Sequence, residues 1–311
     1  MSKPYFKAIN WNKLEDRIDK SAWARLNDIL WEPGRIPLHE DRGTFTQLAP
    51  EEQELILNCL GQLALISTLQ SRIGVAEEKK DVITPQETSV FNALEFLESI
   101  NNKGYAAAIA EFKPAEAPDP IDWAEHDQYL QNNLQLLQDV YQNGTGMQKK
   151  AAAIITSIVL YHSAFFTPLY LYGQHKMVRL AELIKDAMRG TAFNGIYPGR
   201  KFRLAFKEMQ PADQEKLQSW LKDFITKILA NQEKDIKYLY QRKPDWIDDV
   251  IHYTHYTMNM DLMNMSQKTI FPDTADTINP ILSRGIVKSA GGIDFFFYSN
   301  EHAFTHYKHV N

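Results

Sequence analysis

The chain has 311 residues, 44% of them hydrophobic, with 14 glycines and 14 prolines. That is enough apolar material for one large core, and it leaves long stretches free of helix breakers. Lys plus Arg number 34 against 39 Asp plus Glu, a formal charge of -5, so no basic field that would draw nucleic acid is expected.

The single cysteine, Cys59, lies in the apolar run 55–60. It excludes an intramolecular disulfide and reads as core packing in a reducing, cytoplasmic setting. Residues 1–5 carry no apolar segment, so no signal peptide is expected. The longest apolar stretch, 151–172, contains Thr156, Ser157, His162, Ser163, Thr167 and Pro168. It reads as a buried core helix, and no membrane partner is expected.

In chain order, residues 1–48 form a lead-in in which Trp31, Pro33, Pro37 and Gly43 point to extended or turn-rich backbone around brief helices. At Ala49-Pro50-Glu51-Glu52 a proline followed by acids suits a first helical turn, because the free N–H groups there favour negative charge. The helix is predicted to reach about Ser71. Thr84-Pro85-Gln86-Glu87 is a second start, with Thr84 as cap and Pro85 in the first position.

The helix from Pro85 to about Ala110 carries Phe91, Leu94, Leu97, Glu98, Asn101 and Tyr105 on one inner face, with Asn92, Glu95, Asn102 and Lys103 outward. Two of the inward positions are polar, and a core does not accept polar groups without a reason. Prolines at 114, 118 and 120 mark a loop. Helical patterns then cover about 122–142, 147–173, 175–206, 211–240 and 244–266, and no segment reads as a strand. The tail 279–311 carries the aromatic run 295–298, which favours packing on the helical body or on a partner. No linker isolates a second domain, so 1–311 is predicted to be one all-α domain.

Four phrases narrow the fold: Ala8-Ile9-Asn10-Trp11-Asn12, Leu30-Trp31-Glu32-Pro33 with Ile36-Pro37-Leu38, Ile83-Thr84-Pro85-Gln86-Glu87, and Asn279-Pro280-Ile281-Leu282. In this order they resemble the small (beta, R2) subunit of class I ribonucleotide reductase, in particular its bacterial Ib branch. The resemblance implies a ferritin-like helical bundle, whose inward carboxylates and Glu-x-x-His pairs hold two metal ions.

Carried over residue by residue, the resemblance places Ser67, in Leu65-Ile66-Ser67-Thr68-Leu69-Gln70, where the family has aspartate. The first Glu-x-x-His pair becomes Glu98 and Asn101, the lone glutamate becomes Ser157, and the second pair becomes Thr191 and Asn194. One carboxylate among hydroxyls and amides cannot offset the charge and dehydration of two adjacent divalent cations. A dinuclear iron or manganese centre is therefore disfavoured, and no cofactor is expected. Burial is expected to keep the proton on Glu98 at neutral pH unless an internal water or a nearby donor offsets its cost. His252 and His255, at i,i+3 spacing, lack a third ligand and read as helix-surface histidines.

By the same resemblance Tyr105 falls at the family's radical tyrosine, seven residues and roughly 10 Å along the helix from Glu98. Trp31 falls at a tryptophan implicated in electron transfer. The tail, with His302, His306, His309 and Lys308, lacks the acidic docking peptide of reductase small subunits, although Tyr307 stands as a possible remnant relay. Two functions follow. One is a non-catalytic or metal-independent homologue acting as a dimeric scaffold or regulatory partner of an intact small-subunit homologue or a reductase large subunit. The other is an active metal-free subunit that stores an oxidising equivalent on Tyr105.

Overall fold

The computed structural model describes residues 7–272 and 277–286, and among them every regular element is helical. The long helices are α3 (Pro50–Leu69), α5 (Pro85–Phe112), α7 (Gln128–Asn143), α8 (Gly146–Ile155), α9 (Tyr161–Gly173), α10 (Val178–Glu208), α11 (Pro211–Leu239) and α12 (Ile247–Asn264). The remaining helices complete the set: α1 (Arg17–Asp28), α2 (Arg42–Gln47), α4 (Val75–Lys79), α6 (Pro120–Glu125) and α13 (Pro280–Ile286). Helix α3 packs on α5 and α9, and α10 packs on α5, α8 and α9, forming the inner bundle.

The local signals account for the helix starts. Thr84 Oγ1 accepts from the Glu87 N–H at 3.1 Å, and Pro85 sits where its missing N–H costs nothing. Asp127 interrupts the segment read as one helix from 122: its Oδ1 accepts from the N–H groups of Tyr129 and Leu130, ending α6 and starting α7. Two π-helical turns, Gln70–Gly74 and Thr156–Leu160, prolong α3 toward α4 and join α8 to α9. The run 146–173 is long and apolar enough to cross a bilayer by length and composition, yet its most apolar 18-residue window is wholly buried in the bundle.

The lead-in departs from the sequence reading. Its residues 17–28 form a three-turn helix whose Ile18, Ala22 and Leu26 pack with Val90, Phe91, Leu94 and Leu97 of α5 and with Phe193 and Tyr197 of α10. Lys201 ties the three helices together, its Nζ lying 2.7 Å from Asp19, 3.2 Å from Asp16 and 3.9 Å from Glu87. Asn102 also differs: it is half-buried and donates to Ala64 O, Ser67 Oγ and Thr68 Oγ1, clasping α5 to α3.

A second buried polar group joins α3, α7, α9 and α11. Gln62 donates to Asp127 at 3.1 Å and to Asp235 at 2.7 Å, while Gln232 donates to Asp235 and to Ser163 Oγ. Burial and the neighbouring Asp127 push Asp235 well above the usual carboxylate range. Asp235 therefore keeps its proton and the pair avoids two buried charges.

Of the tail, Pro280–Ile286 forms α13 against α9. The crossing needs glycine on both sides, since a Cβ on Gly173 would collide with the Ile281 carbonyl and one on Gly285 with the Leu169 carbonyl. The aromatic run 295–298, Tyr307 and the tail histidines lie outside the described residues.

Candidate functional site

Glu98 lies in the middle of α5 and is 1% exposed, with Leu94, Leu97, Asn101 and Tyr105 buried beside it on the helix. Asn194 of α10 faces it, and its Nδ2 donates to Glu98 Oε1 at 3.4 Å. Tyr161, the first residue of α9, donates its hydroxyl to Glu98 Oε2 at 2.7 Å. Both carboxyl oxygens of Glu98 thus already receive a protein donor.

Burial pushes the Glu98 carboxyl up to about 7, while the Tyr161 hydroxyl and the Asn101 and Asn194 amides pull the other way. Asn101 Nδ2, although close, makes no hydrogen bond. The sequence reading kept the proton on Glu98 unless a nearby donor offset the cost of burial, and the Tyr161 hydroxyl is such a donor.

The other positions that the family resemblance assigns to ligands separate into two groups. Ser67 Oγ turns back to the Ala64 carbonyl at 3.0 Å, and Thr191 Oγ1 turns back to the Met188 carbonyl at 3.1 Å. Each hydroxyl proton is donated to a carbonyl of its own helix. Ser157 stands in the π turn before α9, packed near Gly195 of α10, and its Oγ has no hydrogen-bond partner. Asn194 Oδ1 and Asn101 Nδ2 are likewise buried without partners. The structure therefore brings Glu98, Asn101 and Asn194 together and adds Tyr161, which sequence reasoning missed. The signal was present: Tyr161 follows Ser157 by four residues and shares its helix face.

Tyr105 is fully buried and its hydroxyl has no hydrogen-bond partner; burial and then the Glu98 charge push it well above the usual phenol range. Trp31, half-buried, lays its ring over Gly104, where a Cβ would come within 2.5 Å of the indole. Its Nε1 donates to Asn101 Oδ1 at 3.2 Å. A Trp31–Asn101 link thus ends one helical turn from Glu98.

Among the described residues, His162, His252 and His255 add no donor to this pocket. His162 packs between the rings of Tyr253 and Phe165, and burial pushes it down to about 3, so it stays neutral. His252 Nε2 meets the Thr277 carbonyl at 2.7 Å, and His255 stacks on Phe271 with Glu233 at 3.4 Å. Among the described residues no group of three or more His, Cys, Asp or Glu side chains converges as a metal site would require.

Comparison with known proteins gives the same ancestry. Residues 8–280 match the family model "Ribonucleotide reductase, small chain". The chain belongs to the ribonucleotide reductase small-chain family. It is 29% identical over 291 residues to the ribonucleoside-diphosphate reductase 2 subunit beta of Escherichia coli, covering 93% of this chain and 91% of that one. It is 28% identical to the subunit beta nrdF1 of Mycobacterium tuberculosis, with 93% and 90% covered. The crystal structure of Streptococcus sanguinis dimanganese(II)-NrdF superposes with a TM-score of 0.87 at 39% identity, covering 91% of this chain and all of that one. The fold is thus that of the reductase small subunit, ferritin-like and helical.

The residues at this family member's centre do not fit a pair of divalent ions. Glu98 offers the one carboxylate among the six former ligand positions, Ser67 and Thr191 are bonded to their own helices, and no imidazole stands at any of the six. Two adjacent dications would meet at most one negative charge in a water-poor core.

Proposed function

We propose that this small-chain family member works without a dinuclear metal centre, as a dimeric scaffold or regulatory partner within the reductase system. The observation that carries the reading is the state of Glu98: it is the sole carboxylate at the former centre, and Tyr161 and Asn194 already occupy its two oxygens. The exposed apolar side chains Phe96, on α5, and Ile83, just before it, fit a role in which this part of the surface is covered by a second subunit. An intact small-subunit homologue and a reductase large subunit are the partners this reading expects. Storage of a radical on Tyr105 is the less favoured reading, because its buried hydroxyl has no group to take the proton.

The test is to purify the protein from its own cells and measure metal content, the electron paramagnetic resonance spectrum, and co-purifying subunits. The reading expects metal far below one ion per chain, no tyrosyl signal as isolated, and an associated reductase subunit. Stoichiometric metal, or a tyrosyl signal that supports nucleotide reduction with a large subunit, overturns it.

A further inference from the structure

We propose that Tyr161 and Glu98 form a redox site of their own, in which Tyr161 gives an electron to a one-electron oxidant while its phenolic proton passes to the Glu98 carboxylate. The inference goes beyond the scaffold reading and does not depend on it, because it concerns the isolated chain and needs neither a metal nor a large subunit.

The argument starts from charge. Removing an electron from a buried phenol that keeps its proton would leave a cation in an apolar core, which is strongly disfavoured. The oxidation becomes accessible where a base already holds the proton by a short hydrogen bond, so that proton and electron leave together and the ring ends neutral. Tyr161 is fully buried and its hydroxyl lies 2.7 Å from Glu98 Oε2, the separation of a charge-assisted O–H to carboxylate bond.

The other buried tyrosines nearby lack that arrangement. Tyr105 has no partner for its hydroxyl. Tyr141 donates to Gln70 Oε1 at 2.8 Å, and an amide oxygen is too weak a base to accept the proton. Tyr197 donates to Asp19 at 2.8 Å, but that carboxylate is already ion-paired with Lys201 Nζ at 2.7 Å. Among the described residues no ammonium or guanidinium pairs with Glu98, and the neighbours besides Tyr161 that act on its carboxyl are the Asn101 and Asn194 amides.

The step balances. Tyr161–OH and Glu98–COO⁻ react with a ruthenium(III) tris-bipyridine complex to give Tyr161–O•, Glu98–COOH and the ruthenium(II) complex. One O–H bond breaks at the phenol and one forms at the carboxyl; the phenol is oxidised and the metal complex reduced. The Tyr161 radical then accepts a hydrogen bond from the new carboxylic acid, and the surrounding aromatic and aliphatic side chains of α9, including Phe165 stacked on its ring, keep reductants out.

The experiment uses the full-length protein, freed of metal by a chelator, with the ruthenium complex photo-oxidised by a flash at mildly alkaline pH, where Glu98 is mainly ionised. Radicals on surface tyrosines decay quickly by collision, so the readout is the slowly decaying tyrosyl signal in absorbance and electron paramagnetic resonance. The wild type, Tyr161→Phe, Tyr105→Phe, Tyr197→Phe and Glu98→Gln are compared, each first checked for native helicity and cooperative unfolding. Proton-resolved double resonance on the wild type in deuterated buffer adds a measurement that needs no substitution.

The expected result is a slow signal with one strongly coupled exchangeable proton, kept in Tyr105→Phe and Tyr197→Phe and lost in Tyr161→Phe and Glu98→Gln. A slow signal that survives Tyr161→Phe, or that disappears in Tyr105→Phe or Tyr197→Phe instead, overturns the assignment, as does a wild type with no slow signal. None of these outcomes alters the metal content or subunit association that test the scaffold reading.

Discussion

Replacing Glu98 by glutamine converts the buried carboxyl into a group of the same shape that never carries charge. Burial raises Glu98 from its ordinary 4.5 to about 7. At about 1.4 kcal/mol for each tenfold change in acid constant, that rise corresponds to about 3 kcal/mol. The sign follows from the direction: the folded state holds the proton more tightly than the unfolded chain, so this contribution is complete below about pH 4.5 and is lost as pH rises through about 7. Glu98→Gln keeps the Tyr161 hydrogen bond, and the Asn194 amide, whose Oδ1 has no partner, can rotate to accept from the new side chain. The variant is therefore expected to match the wild type near pH 4.5 and to exceed it by about 3 kcal/mol at pH 9. Urea denaturation of both proteins across this range measures the difference, and every other titrating group cancels in it. Two stability curves that run parallel from pH 4.5 to 9 would refute the reasoning.

Three further substitutions probe the surrounding framework. Gly104→Ala drives a methyl group into the Trp31 indole and should cost about 1–3 kcal/mol in denaturant unfolding while shifting tryptophan emission; an unchanged spectrum and midpoint would mean Trp31 is not seated there. Asp235→Ala strands the amides of Gln62 and Gln232 in the core and is expected to lower stability by about 2–4 kcal/mol, whereas Asp235→Asn, which retains hydrogen-bonding capacity, should lose less; equal losses would argue against the shared-proton pair. Lys201→Met leaves Asp19 buried without its cation, and a loss of about 3 kcal/mol or more at pH 7 is the expected result in the same assay; an unchanged midpoint would contradict the ion pair's role.

Much of the helical order was legible because its signals are local. Thr84 and Pro85 mark the start of α5 by capping and by a fixed backbone angle, and neither depends on the rest of the fold. Helix α1 was less visible: Ile18, Ala22 and Leu26 are separated by charged side chains, and the helix is held by α5, α10 and the Lys201 cluster rather than by its own pattern. The break before α7 was missed, because Asp127, a capping residue, sits inside an otherwise continuous helical pattern. The π turns were not, since their looser hydrogen bonding is favoured by packing between helices.

At the site, the replaced ligand positions could be read one by one from the phrases that carry the family resemblance. What those phrases could not convey was the direction of each side chain. Ser67 and Thr191 turn back to their own helices, while Asn101 reaches the Trp31 indole. Tyr161 stands at no position of those phrases, yet as a phenol one turn beyond Ser157 on the same helix face it reaches the same pocket.

The most direct test is of the donor set itself. The purified protein is equilibrated with manganese(II) or iron(II) under anaerobic conditions, passed through a desalting column, and its metal quantified per chain, with anomalous diffraction locating any ion retained. The single available carboxylate, already bonded to Tyr161 and Asn194, predicts retention well below one ion per chain and no paired density. Two ions per chain, fully occupied between Glu98 and Asn194, would contradict it.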